Sequence, residues 1–133
     1  MPQLHCIVVT PERTVRDESV DFVALPLVDG EIGIAPGHTP MIGRLGAGEL
    51  RLTHAGGVGR YYVEGGFVEV LGGVVSVLTG RAVPGEDLDR TVAAEQLASA
   101  RQRRARTPEE MALRDAQVAR LRAQLRVARR ASG

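Results

Sequence analysis

Leu25-Pro-Leu-Val-Asp-Gly-Glu-Ile-Gly-Ile-Ala-Pro-Gly-His-Thr-Pro-Met-Ile-Gly-Arg-Leu-Gly-Ala-Gly-Glu-Leu-Arg51 sets short apolar runs between glycines and prolines, in an order that few folds require. Outward from it the period is two. Leu4, Cys6 and Val8 alternate with His5, Ile7 and Val9; Val20, Phe22 and Ala24 alternate with Asp21, Val23 and Leu25; Val68 and Val70 flank Glu69. Asp29-Gly30, Gly46-Ala-Gly48, Ala55-Gly-Gly-Val-Gly59, Gly65-Gly66 and Gly72-Gly73 offer the positive backbone dihedrals of tight turns. Short strands recurring at this rate predict an antiparallel sandwich or barrel. Val74-Val-Ser-Val-Leu78, apolar on both faces, belongs at its centre. Gly65-Gly66 reads as a bulge or turn rather than a phosphate cradle, since no helix amino terminus follows it.

The pattern breaks at Gly80-Arg-Ala-Val-Pro-Gly85, which divides the chain into a β-sandwich over 1–83 and a helical segment over 84–133. Glu86-Asp-Leu-Asp89 places acids where the positive amino-terminal end of a helix favours them. Ala93, Leu97 and Ala100 then recur at helical spacing, and that helix is expected to stop near Arg106. Thr107-Pro-Glu-Glu110 supplies a cap, a proline at the first helical position and a glutamate three residues after the cap, so a second helix starts there. Met111, Val118, Leu121 and Leu125 are its expected apolar side. The short turn makes the pair an antiparallel hairpin. Its arginines leave so narrow an apolar stripe that the hairpin is expected to be detachable from the sandwich.

The Leu25–Arg51 stretch resembles the epsilon-subunit family of F-type ATP synthases. Tyr62-Val-Glu-Gly-Gly-Phe-Val-Glu-Val-Leu-Gly-Gly-Val-Val-Ser-Val-Leu-Thr79 matches the same family downstream, and a basic helical tail follows, as it does there. The resemblance implies a β-sandwich plus two-helix hairpin with no catalysis and no cofactor of its own. It implies a rotor subunit that links the gamma subunit to the ring of c subunits, with a hairpin able to extend into the alpha/beta catalytic hexamer and stop ATP hydrolysis. Glu31 and His38, the latter held in Pro36-Gly-His-Thr-Pro40, fall by resemblance at the end that meets the c ring. Arg122 and Arg126, one turn apart, are the expected contacts with an acidic segment of the hexamer. Some bacterial members bind ATP through an Ile/Leu-Asp-x-x-Arg-Ala motif. Here Leu88, Asp89 and Ala93 match it, but Val92 replaces the arginine and cannot supply its charge-assisted hydrogen bonds. Asp89 then reads as a helix-start acid.

Residues 1–80 carry five Arg against nine acids, a balance of −4, and residues 81–133 carry twelve Arg against seven acids, a balance of +5. Such a tail has the sign needed to grip an acidic partner, or it is a solvated face. Nucleic acid is a poor fit: there is no Trp, and Phe22, Phe67, Tyr61 and Tyr62 are the only aromatics, none of them in the tail. His5, His38 and His54 lack metal-ligand spacing, and Ser19, Ser76, Ser99 and Ser132 lack a nucleophile-elbow context. Cys6, the one cysteine, reads as a small buried hydrophobe in a reducing setting. No apolar run approaches the roughly 20 residues of a membrane span, and no signal or transit segment is recognisable. The expected location is peripheral, on the cytoplasmic face of a bacterial cell membrane, with the membrane reached only through the complex. The alternative from another class is a small nucleotide-sensing or arginine-rich binding protein outside any rotary complex.

Overall fold

The alternation that opens the chain is built as β1, Leu4–Val9, whose Leu4, Cys6 and Val8 point into a core while His5, Ile7 and Val9 face outward. The computed structural model describes residues 3–131; residues 1–2 and 132–133, with Ser132, lie outside the described residues. Nine more strands follow: β2 Thr14–Val20, β3 Phe22–Leu27, β4 Gly30–Ile34, β5 Met41–Arg44, β6 Ala47–His54, β7 Gly57–Glu64, β8 Phe67–Leu71, β9 Val74–Leu78 and β10 Ala82–Pro84. They form two five-stranded sheets, ordered β2-β1-β9-β8-β5 and β10-β7-β6-β3-β4. β9 is central in the first, as its two apolar faces predict. Pairing is antiparallel except between β1 and β9, which run parallel with Cys6 opposite Val75. The inner faces meet in one core that includes Leu25, Ile34, Leu50, Leu52, Val68 and Val75.

Two local readings are corrected. The alternating run Val20–Leu25 is not one strand: Asp21 breaks it, its N–H donating to the Thr53 carbonyl at 2.7 Å, and the chain passes there from one sheet to the other. The phase of the alternation shifts by one residue at the crossing: Val20 enters the core, and after it Val23 and Leu25 rather than Phe22 and Ala24. Gly46 and Gly48 do not carry positive φ. Gly48 lies inside β6, where a Cβ would come within 2.9 Å of the Pro26 side chain, so close approach rather than turn geometry excludes a side chain there. By contrast Gly72 and Gly73, at φ 57° and 80°, form the two-residue turn between β8 and β9.

After a 3-10 turn at Gly85–Asp87 come α1, Arg90–Gln102, and α2, Pro108–Ala131. α1 ends four residues before Arg106: Arg103 turns to extended backbone at ψ 133° with its N–H on the Ala100 carbonyl, and the Arg106 N–H is given to the Glu110 carboxylate at 2.7 Å. Thr107 caps α2 through its hydroxyl, which accepts from the Glu110 N–H at 3.1 Å, as the cap pattern predicts. Met111 does not join the apolar side and is 45% exposed. Val118, Leu121 and Leu125 pack against Ala93, Leu97 and Ala100 of α1. α2 also buries a second face, unforeseen in its sequence: Ala123 and Val127 close over Tyr62, with Leu88 alongside.

Candidate functional site

The two outer faces of the sandwich differ. The sheet containing β6 and β7 is covered by α2, which contacts both strands. The other sheet carries no covering element among the described residues, yet its outer face exposes several large apolar side chains beside the polar Glu69 and Ser76. Ile42 is 75% exposed, Leu71 57%, Phe67 54% and Leu78 52%. Phe67 lies opposite Leu78 and Leu71 opposite Val74, two apolar rungs on either side of the outward-facing pair Glu69 and Ser76, with Ile42 opposite Glu69. Ile7 and Val9 extend this face on β1, where Val9 pairs with Leu78. Large apolar side chains left uncovered around one polar rung mark a candidate interaction surface. The sequence holds part of this signal in Val74–Leu78, whose apolar residues on both faces fit a central strand and an exposed apolar side equally well.

The expected c-ring residues lie along one edge. Glu31 is near the start of the edge strand β4, and His38 is in the turn beyond its other end. They have different partners: Glu31 Oε1 accepts from Arg51 Nη2 at 2.9 Å, and His38 Nδ1 lies 2.8 Å from the Thr39 carbonyl oxygen. Both side chains reach solvent.

The residues matching the nucleotide motif have structural work. Leu88 packs beside Tyr62, Ala93 is buried between the helices, and Asp89 caps α1 by accepting from the Val92 N–H at 3.0 Å. Val92 itself is 45% exposed. Arg122 and Arg126 are exposed on α2 and line an open groove of about 640 Å³ between the helices, together with Arg101, Arg129 and Arg130. Among the described residues no three His, Cys, Asp or Glu gather as a metal site would require.

The contact between α2 and the sandwich is polar at both ends and aromatic in the middle. At one end Glu49 Oε1 accepts from Arg51, Arg60 and Arg130 at 2.9, 3.1 and 3.0 Å. At the other, Arg120 Nε lies 3.4 Å from Glu64 Oε1, which also accepts the Tyr62 hydroxyl at 2.7 Å. Hydrogen bonds to Glu49 and then to Glu31 hold Arg51 above the usual arginine range. Burial and the bond to Glu64 push the Tyr62 hydroxyl well above the usual tyrosine range, so it remains a neutral donor.

Comparison with known proteins agrees with this architecture. A family model described as ATP synthase, Delta/Epsilon chain, beta-sandwich domain matches residues 3–85. A relative named ATP synthase epsilon chain from Rhodopirellula baltica is 52% identical over 126 residues, 95% of this chain and 98% of its own. Another of that name from Bordetella avium is 40% identical over 133 residues, 98% of this chain and 94% of its own. Among solved structures, a chain of the Euglena gracilis mitochondrial ATP synthase, OSCP/F1/c-ring in rotational state 1, superposes with a TM-score of 0.85 at 24% identity, covering 92% of this chain and 79% of that one. That likeness establishes the shared fold.

Proposed function

The chain belongs to the ATP synthase epsilon-chain family, and on that premise we propose that it is a noncatalytic rotor subunit whose sandwich joins gamma to the c ring and whose hairpin restrains ATP hydrolysis. The observation that carries this reading is the asymmetry of the sandwich. One sheet is capped by the chain's own helix, while the other leaves Ile42, Phe67, Leu71 and Leu78 uncovered. That open face is the seat for gamma. Glu31 and His38, on the β4 edge and its turn, are the contacts for the polar loops of the c ring, imidazole donating or accepting and carboxylate accepting. Arg122 and Arg126, exposed on α2, are the contacts with the catalytic hexamer after the hairpin extends. Among the described residues no helix is long and apolar enough to cross a membrane; the proposed attachment is through the complex, at the cytoplasmic face.

The test is ATP hydrolysis by the cognate alpha, beta and gamma complex with added full-length chain or with a chain ending at Gly85. Ending there keeps β10 paired with β7. Both versions are expected to bind, and only the full chain to inhibit. Binding without inhibition by either leaves the rotor role and removes the gating role, whereas failure of both to bind rejects the reading. Replacing Ile42 and Phe67 together by Glu is expected to weaken gamma binding about 30-fold or more, since a central interface residue is worth ~2 kcal/mol and an unpaired buried charge costs further. Pull-down titration on gamma reads this directly, with circular dichroism unchanged because both side chains are exposed.

A further inference from the structure

Glu49 is a buried carboxylate, its side chain 5% exposed, and its three guanidinium partners come from two different bodies. Arg51 and Arg60 belong to β6 and β7, where they stand directly opposite one another. Two like charges in that register repel, and Glu49 between them offsets the repulsion. This triad is built into the sandwich. Arg130 is added by the last turn of α2, and all three arginines converge on Oε1, leaving the buried Oε2 with no hydrogen-bond partner. Ten residues earlier on α2, Arg120 meets Glu64, a separation of about 15 Å along a helix axis. Tyr62, fully buried, fills the space between these two points against Ala123 and Val127.

We propose that the Glu49–Tyr62–Glu64 face is an exchangeable receptor for an arginine-bearing helix, with Arg130 as a removable third guanidinium on a carboxylate that Arg51 and Arg60 already neutralise. Breaking an ordinary buried ion pair strands a charge and is strongly resisted. Here the departure of α2 strands none, because Glu49 keeps two partners. Glu64 and Arg120 are both partly exposed and are rehydrated when they separate. The receptor therefore fixes the register of the docked helix without locking it. Arg120 and Arg130 are 43% and 48% exposed, so salt screens their hold on the sandwich. This inference rests on the gating role proposed above only for its consequence, that weakening the receptor releases the inhibitory hairpin.

The experiment is hydrogen exchange on the full chain, reading the amides of residues 121–127 against those of β1 and β9. Arg130→Ala is expected to speed exchange in α2 about 3- to 10-fold and to leave the sandwich strands unchanged. Raising salt from about 0.01 M to about 0.5 M is expected to do the same to the unaltered chain and less to the variant. The discriminating arm is Arg60→Ala. With one sandwich guanidinium gone, Glu49 depends more on Arg130, so Arg130→Ala must cost more in that background than alone. Equal effects in the two backgrounds, or unchanged α2 exchange in Arg130→Ala, overturn the receptor. Hydrolysis assays with Arg130→Ala then separate the two ideas: faster α2 exchange without stronger inhibition leaves the receptor standing and removes the gating role.

Discussion

Gly66→Ala is expected to unfold the sandwich, or to lower its stability by ~4 kcal/mol or more out of a typical 5–15. Gly66 stands at φ 105°, a region that costs a residue with a side chain roughly 1–3 kcal/mol. The decisive effect is steric. A Cβ there would lie 1.9 Å from the Leu78 carbonyl oxygen and 2.8 Å from the Thr79 Cα, both of them backbone that cannot rotate aside. The Gly66 carbonyl also accepts the Leu45 N–H at 2.8 Å, so a shift of this segment loosens the link between the two sheets. Gly65→Ala is the control. Gly65 too has positive φ, 69°, but nothing lies within 4 Å of its Cβ position, and a loss of only about 1 kcal/mol is expected. Thermal unfolding followed by circular dichroism ranks the two. Thiol labelling gives a second readout, because Cys6 is fully buried and burial, with a smaller contribution from Glu18, pushes its thiol up to about 12. It should resist labelling in the intact chain and react readily in Gly66→Ala. A Gly66→Ala chain that melts with the parent and keeps Cys6 protected would show that the close approach is not required.

How far the sequence could be read follows from how local each determinant is. β1 and the Gly72-Gly73 turn were legible because alternation and paired glycines act within a few residues. The caps of both helices were legible for the same reason: Asp89 and Thr107 act on amides three residues away. The crossing at Asp21 was not, since which side of Val20–Leu25 turns into the core depends on the sheet each half joins: Val20 enters it, then Val23 and Leu25 rather than Phe22 and Ala24. The second buried face of α2 was also invisible. Ala123 and Val127 give a weak apolar signal among arginines, and what buries them is Tyr62 on a strand sixty residues earlier. Tyr61 and Tyr62 look alike in sequence, yet Tyr61 enters the sandwich core and Tyr62 faces outward under α2. Glu49 and Arg130 are 81 positions apart, and no local pattern announces such a pair. Glu31 and His38 rest on resemblance alone, because the chemistry of one exposed carboxylate and one imidazole does not by itself name a partner.

Tyr62→Ala should detach the hairpin while leaving the sandwich folded. Tyr62 stands outside the main core, so its loss creates no void between the sheets. Between the sheet and α2 it is the only large side chain in its cluster apart from Val127 and Leu88, and truncating a buried aromatic costs ~3–5 kcal/mol. The docking contact is small, so that loss is enough to turn the equilibrium over. Exchange of the α2 amides should rise toward that of a free hairpin, the melting of the sandwich should shift little, and under the proposed gating role inhibition of hydrolysis should strengthen. Tyr62→Phe separates packing from the hydroxyl: it keeps the ring, forfeits the bond to Glu64, and is expected to cost about 1 kcal/mol with the hairpin still docked. It also isolates a pH effect. The docked state holds the hydroxyl proton more tightly than the exposed chain does, so its contribution is complete below the ordinary tyrosine value of about 10 and is lost as pH rises from there through the raised value. Alkaline loosening of α2 should therefore be present in the parent chain and absent in Tyr62→Phe. If Tyr62→Ala left α2 as protected as before, the aromatic contact would not be what seats the helix, and the carboxylates at either end would have to hold it alone.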